Sequence, residues 1–335
     1  MRRYGKNPDE DDIRVRPNRK GNRPRTNIRP KHEDAAEGFV LTVDRGRLTC
    51  LVEDRIVMAM KARELGRKGV VVGDRVAVVG DLSGAKDTLA RIVRVEERSS
   101  VLRRTADDDD PFERVVVANA DQLAIVTALA DPEPRPRLID RCLVAAFDAG
   151  LEPLLVLTKS DLASPDKLLE SYGALGVRYV VTSREELADG GAADRVREEL
   201  EDRITAFVGH SGVGKTTLVN ALVPDRQRAT GHVNAVTGRG RHTTTSALAL
   251  PLPAGAGWVI DTPGVRSFGL HHIDPSRVIH AFPDLEPGTE GCPRACSHDE
   301  PECALDAWVA DGHADPQRLY SLRRLLSTRE RREGD

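Results

Sequence analysis

The chain has 335 residues, a formal net charge of −3 and a pI near 6.3, so as a whole it is not basic. No apolar run approaches the roughly 18 residues needed to cross a bilayer, and the arginine-rich N-terminus lacks the apolar core of a secretory signal. No membrane partner is expected, and the protein reads as cytoplasmic. Five cysteines, an odd number with three of them clustered beside one histidine, argue against a disulfide framework.

The length fits roughly two or three domains. Residues 1–35 read as a disordered basic extension, rich in Arg, Pro, Asn and Asp and nearly free of apolar side chains. Between Ile13 and Lys31 lie eight Lys or Arg and no acid. This stretch is either a solvated tail or an electrostatic arm for nucleic acid. Residues 36–100 carry short β-rich runs at Gly38–Val43, Arg47–Val52, Arg55–Met60, Gly73–Val79 and Leu89–Val95, separated by turn residues. So many short strands in so short a span predict a small closed barrel. An OB-fold that binds RNA is the first reading and an SH3-like barrel the alternative. The basic connection bearing Lys61, Arg63, Arg67 and Lys68 has few aromatics nearby, so phosphate contacts rather than base stacking are expected.

Residues 101–110 read as a linker ending in the acidic run Asp107–Asp110, at the start of a region, 101–270, with an α/β pattern. Strands are predicted at Val115–Val117, Leu123–Leu129, Pro153–Leu157, Val177–Val181, Ile204–Val208, Ser246–Leu252 and Gly257–Ile260. Helices are predicted at Leu138–Ala149, Pro165–Leu175, Ala193–Asp202 and Lys215–Val223. This alternation means a mostly parallel sheet covered on both faces. Residues 271–335 lose the sheet pattern and end in an amphipathic helix, Pro316–Arg332. Leu319, Leu322 and Leu326 form its apolar stripe, and Arg318, Arg323, Arg324, Arg329, Arg331 and Arg332 make it basic. Cys50 and Cys142 fall on a strand and a helix face and read as core residues.

Gly209-His210-Ser211-Gly212-Val213-Gly214-Lys215-Thr216-Thr217 fits the phosphate-binding loop G-x-x-x-x-G-K-[ST] without a mismatch. Its glycines let backbone N–H groups converge on phosphate oxygens, and Lys215 adds a charge for the β- and γ-phosphates. Thr216 offers a hydroxyl to Mg²⁺, and the following helix contributes its N-terminal dipole. Thr158-Lys159-Ser160-Asp161, directly after a strand, resembles the guanine-recognition motif of GTPases. A carboxylate at Asp161 accepts two hydrogen bonds that guanine offers and adenine does not, the Lys159 stem lies over the base, and the Thr158 hydroxyl is expected to bond across to the phosphate loop. Thr182-Ser183 offers a backbone N–H for guanine O6. Asp261-Thr262-Pro263-Gly264 resembles the D-x-x-G switch, with Asp261 holding Mg²⁺ through water and the Gly264 N–H meeting the γ-phosphate. The glycine-rich, basic stretch Gly238–Thr245 is placed as the other switch loop, with Thr244 as its sensor threonine. Val265 follows Gly264 where many GTPases carry a glutamine that orients the attacking water. His242 is the candidate for that task, the alternative being a contact to phosphate or rRNA only.

Base-recognition elements at 158–161 and 182–183 precede the phosphate loop, and the switches follow it, so the GTPase order is circularly permuted. Sheet packing does not depend on where the chain is cut. In this order and combination the motifs resemble the circularly permuted GTPases of small-ribosomal-subunit biogenesis, the RsgA/YjeQ family, over about residues 36–330. The resemblance implies GTP hydrolysis to GDP stimulated by the small subunit, rRNA binding through the OB-fold, and a role late in subunit maturation. Cys292-x₃-Cys296-x-His298-x₄-Cys303 makes a complete tetrahedral set for one structural zinc ion with no open position, and the family places a Cys₃His zinc site here. The reading is therefore a monomer with an OB-fold barrel, a circularly permuted α/β P-loop GTPase domain and a C-terminal helical zinc-binding domain. Two other classes compete. Asp161 argues against an ATP-using P-loop enzyme, and Lys215, Thr216 and Asp261 argue against a nucleic-acid-binding zinc protein with a vestigial nucleotide loop.

Overall fold

Period-two alternation builds the barrel. Strands β1 (Ala36–Asp44), β2 (Arg47–Val52), β3 (Arg55–Lys61), β4 (Arg75–Val79) and β5 (Ala90–Val95) turn Val40, Leu48, Cys50, Val52, Val57, Ala59, Val76, Val78, Ala90 and Ile92 into one apolar interior. Their order is β1-β2-β3-β5-β4, closed by a β1–β4 pairing, with only β3–β5 parallel. This is the five-stranded OB-fold. The computed structural model describes residues 32–66, 69–105, 114–224, 247–264, 270, 275–294 and 296–330. Most of the basic extension, the acidic run Asp107–Asp110, Val265 and the Gly238–Thr245 loop with His242 and Thr244 lie outside the described residues.

The second sheet runs β10 (Arg178–Val181), β9 (Glu152–Thr158), β8 (Gln122–Ala128), β11 (Arg203–Gly209), β13 (Gly257–Asp261), β12 (Leu248–Pro251), and all its pairings are parallel except β12–β13. Strand β8 is buried at every position, as a central parallel strand should be. Side chains alternate across the sheet. Ala206, Val208, Leu155 and Leu157 face one layer, and Phe207, Leu154 and Val156 face the other. Helices α4 (Gly191–Leu200) and α5 (Lys215–Leu222) cover the second face with Val196, Leu200, Leu218, Val219 and Leu222. Helices α1 (Pro136–Asp148) and α2 (Asp166–Gly173) cover the first, together with Phe282, Leu285, Leu305, Leu319, Leu322 and Leu325 from the C-terminal region. That region therefore shares one apolar core with the α/β domain. Cys50 and Cys142 are buried core residues, as their positions in the sequence suggested.

Two local readings need correction. The stretch read as a linker holds a strand, β6 (Val101–Arg104), paired antiparallel with β7 (Arg114–Ala118). Leu102 and Val117 bury almost completely into the shared core and fix that pairing, which four residues with two arginines do not announce as a pattern. The last helix, Pro316–Glu330, buries Leu319, Leu322 and Leu325, while Leu326 is half-buried. Three of its arginines are engaged within the fold. Arg318 pairs with Asp284 at 2.7 Å, Arg323 with Asp306 at 2.7 Å and Arg324 with Asp140 at 3.2 Å.

Barrel and sheet join at two places. β1 pairs with β12 at Thr42 and Leu248, so the two sheets are continuous. At the other joint Asp74, fully buried, receives Arg98 at 2.7 and 2.9 Å and the Val71 N–H at 2.8 Å. Beside it Asn119 donates to Gly73 O at 2.8 Å and accepts from the Ser99 N–H at 2.8 Å. Removing Arg98 leaves a buried carboxylate without its counter-charge. Arg98→Ala should cost about 3 kcal/mol of folding free energy, read as the shift in a urea unfolding curve. A change within measurement error would show that water enters and solvates Asp74.

Candidate nucleotide site and metal centre

The carboxyl ends of parallel strands β8, β9, β10, β11 and β13 lie along one edge of the sheet, where open α/β sheets bind ligands. The phosphate loop springs from β11. A methyl group on Gly209 would stand 2.5 Å from Val126 O, so only glycine fits where the loop leaves the sheet. Gly214 has φ 90°, left-handed, and caps α5 with its first-turn N–H groups free of helical partners. Val213 is buried and anchors the loop, while Ser211, Gly212, Thr216 and Thr217 are exposed at its rim. His210 Nδ1 lies 2.9 Å from Ser211 O. Lys215 is buried, and its ammonium group donates to Asp261 Oδ1 and Thr262 O. Asp261, fully buried, closes β13, and the Thr262 hydroxyl donates to Phe207 O at 2.6 Å, pinning the turn to the phosphate-loop strand. A methyl group on Gly264 would lie 3.7 Å from the Ser211 nitrogen, so this turn borders the rim of the phosphate loop.

The base-recognition loop follows β9. The Thr158 hydroxyl donates to Val213 O at 2.6 Å, the bridge to the phosphate loop that its sequence position suggested. Lys159 adopts φ 61°, and its ammonium group donates to Asp131 O. The Ser160 N–H donates to Thr182 O at 3.2 Å. Asp161 is exposed, so a base must cover its carboxylate before an unmatched base is penalised for leaving it dry. The Thr182 N–H is committed to Leu157 O at 2.7 Å. The Ser183 N–H faces the Glu186 carboxylate at 3.3 Å, and the Ser183 hydroxyl accepts from the Glu186 N–H at 3.2 Å, a capping box on the helix Arg184–Ala188. Of this pair, Ser183 is the one whose N–H can turn to guanine O6, by displacing Glu186.

The ligand atoms of Cys292, Cys296, His298 and Cys303 all lie within 4.8 Å of one another. His298 Nδ1 is 3.7 Å from Cys292 Sγ and 3.9 Å from Cys303 Sγ, and the two sulfurs are 3.9 Å apart. Metal–sulfur bonds of about 2.3 Å put tetrahedral sulfurs about 3.8 Å apart, so the spacing fits one tetrahedral cation. His298 sits at φ 69°, which turns its ring back into the cluster. Burial, and then the Glu300 carboxylate at 3.2 Å, push the Cys296 thiol up to about 12. Burial also raises the Cys303 thiol and lowers His298. Arg323 holds the ligand loop from outside, donating to His298 O at 2.7 Å and to both oxygens of Asp306. Among the described residues no helix is long and apolar enough to cross a membrane.

A family model described as RsgA GTPase matches residues 95–271. The chain belongs to that family. The small ribosomal subunit biogenesis GTPase RsgA of Chlorobaculum parvum is 38% identical over 299 residues, covering 87% of this chain and 94% of the relative. Its namesake from Gemmatimonas aurantiaca is 39% identical over 271 residues, 79% of this chain and 86% of the relative. Among solved structures, YjeQ from Thermotoga maritima superposes with a TM-score of 0.63 at 28% identity, covering 89% of this chain and 99% of YjeQ. YloQ, described as a circularly permuted GTPase, gives 0.60 at 23% identity, over 90% and 98% of the two chains, and shares the fold. The family is that of a GTP hydrolase, and the permuted order of β8 to β13 is the connectivity that its motifs required.

Sequence reading missed the loop after β8. Asp131, at φ 43°, holds Lys159, and Pro132 lies 3.7 Å from where a methyl on Gly212 would be. The signal was available, since this proline-rich turn leaves the sheet at the same edge as the phosphate loop. The Thr158 bridge carries a direct expectation. Thr158→Val keeps the shape and strands the Val213 carbonyl, a loss of about 1–2 kcal/mol that should weaken GDP binding roughly tenfold. Isothermal titration measures it, and an affinity equal to wild type would mean that the two loops hold their places independently.

Proposed function

We propose that this chain hydrolyses GTP in the late maturation of the small ribosomal subunit and leaves the subunit when the γ-phosphate is lost. The observation that carries the reading is the meeting of three nucleotide elements at one sheet edge, with the base loop bonded to the phosphate loop through Thr158 and Lys215 paired with Asp261. The names of the relatives supply the ribosomal context. In this reading Gly209–Thr217 cradles the phosphates, Thr158–Asp161 selects guanine with Ser183 on its far side, and Gly264 meets the γ-phosphate. Thr216 and Asp261 would hold Mg²⁺, which neutralises charge on the transferring phosphoryl group. His242 orients the attacking water and Thr244 senses the γ-phosphate. With Val265 unable to place water, intrinsic turnover is slow and the subunit stimulates it. The OB-fold and the N-terminal basic arm bind rRNA, and the protein acts as a cytoplasmic monomer.

Hydrolysis breaks the bond between the γ-phosphorus and the bridging oxygen as water adds on the opposite side. On the protein's side, Lys215 exchanges Asp261 for phosphate oxygens, and Asp261, which would hold Mg²⁺, gains that cation in place of the ammonium, so neither buried charge would be left unpaired. GTP turnover with and without small ribosomal subunits, and co-sedimentation with GDP, GTP and a non-hydrolysable analogue, test the reading. Turnover should rise with subunits, GTP and the analogue should tighten binding over GDP, and Lys215→Ala should make binding insensitive to nucleotide. Identical binding in all three nucleotide states would rule out a release switch.

We further infer that the metal of the Cys₃His cluster is zinc, structural because four protein ligands fill its coordination. Freshly purified protein should contain about one zinc per chain. Cys296→Ala should lose it while GDP still binds, though not necessarily as tightly, because the phosphate loop springs from β11 and the base loop from β9 and neither contains a ligand of the cluster. Metal analysis that finds no zinc would refute this assignment.

A further inference from the structure

The base-recognition loop is held firmly at one end and by a distant segment at the other. Its start is fixed by β9 and by the Thr158 hydroxyl. Its far end runs into α2, a helix of eight residues that buries only Leu168 and Tyr172. So short a helix has little stability of its own. What completes it comes from the last helix, some 150 residues later in the chain. Arg324 Nη1 donates to Ser171 O at 3.0 Å, and its guanidinium lies 4.9 Å from the centre of the Tyr172 ring. Arg318 Nη1 donates to Ala174 O at 2.9 Å. One bond ends on a last-turn carbonyl of α2 and the other on the carbonyl of the residue that caps it, and both bring positive charge to the negative end of the helix dipole.

The same arginine also grips α1. Arg324 Nη2 reaches the buried Asp140 Oδ1 at 3.2 Å, and the Tyr172 hydroxyl donates to Pro136 O at 3.2 Å, at the first residue of α1. The loop that leads into α1 is the one whose Asp131 carbonyl holds Lys159. Arg324 thus touches both helices that grow out of the loops around the base, α2 after Asp161 and α1 after Asp131. Its neighbour Arg323 braces the backbone of His298 in the metal cluster.

We propose that Arg324 is a positioning residue for guanine recognition, through which the C-terminal region carrying the Cys/His cluster sets the pose of the Lys159–Asp161 loop. The proposal rests on Asp161 as the guanine acceptor. A partner that shifts the last helix then changes guanine affinity, and guanine nucleotide changes the hold on that partner by the same factor.

The test is titration of the full-length protein with GDP, ADP and inosine diphosphate, whose base lacks the 2-amino group that Asp161 accepts from. Wild-type protein should prefer GDP to both, and no preference would sink the guanine reading itself. Given that preference, Arg324→Ala should weaken GDP binding by about fivefold or more, the lower end of ordinary coupling between sites. Inosine diphosphate should lose less, so the ratio of the two affinities shrinks. Arg324→Lys keeps the charge but cannot span Ser171 O, Asp140 and the ring face together. It should fall between the two, and it carries the test if the alanine variant does not fold. A general loss of stability weakens both nucleotides alike, so an unchanged ratio in the folded variants would overturn the positioning role.

Discussion

Lys215 and Asp261 place two opposite charges side by side in the interior, with the Thr262 carbonyl completing the ammonium group's surroundings. Either charge alone would be costly to bury, and together they are tolerable only in close contact. That contact requires the phosphate-loop strand and the strand ending at Asp261 to be neighbours, and β11 and β13 are paired from Arg203–Gly257 to Phe207–Asp261. The rest of the site follows from this pairing. The Thr262 hydroxyl fastens the turn to Phe207, Gly264 reaches the rim beside Ser211, and on the other flank β8 and β9 bring Asp131 and Thr158 to the same edge.

The C-terminal region is built into the nucleotide domain. Its leucines and Phe282 enter the core beneath α1 and α2, and its arginines find acids and carbonyls there. A helix whose spelling suggests a basic surface is therefore largely structural on the side that carries Arg318, Arg323 and Arg324. The Cys/His cluster lies in a segment of short turns, where four bonds to a metal ion would supply the rigidity that few apolar contacts can.

Much of this was legible in the sequence, because strands and motifs depend on local pattern. The barrel runs, the phosphate loop and the Cys/His spacing are written within a few residues each, and the structure places them within a residue or two of their expected bounds. The strand at Val101–Arg104 was not legible, since its reason is a partner at Arg114–Ala118 and the burial of Leu102. The inward turn of Arg324 was not legible either, because Asp140 lies 184 residues away. The loop at Asp131 was readable only through topology, by asking which turns share an edge with the phosphate loop. Asp161 is exposed in the folded chain, so selectivity for guanine at this residue would require the base itself to create the dry surroundings.

The placement of β11 has a consequence for the time at which the site comes into being. Its register partners are Gln122 onward on one side and Gly257 onward on the other, so the strand cannot be flanked until residue 261 has been synthesised. The barrel, by contrast, closes within residues 36–95 and can be complete while the nucleotide domain is still unmade. Long-range closure around a central strand is slow relative to local pairing. The last helix, which caps α2, is made later still. A nascent chain thus presents a finished β-barrel before it can bind nucleotide, and nucleotide binding waits for almost the whole polypeptide.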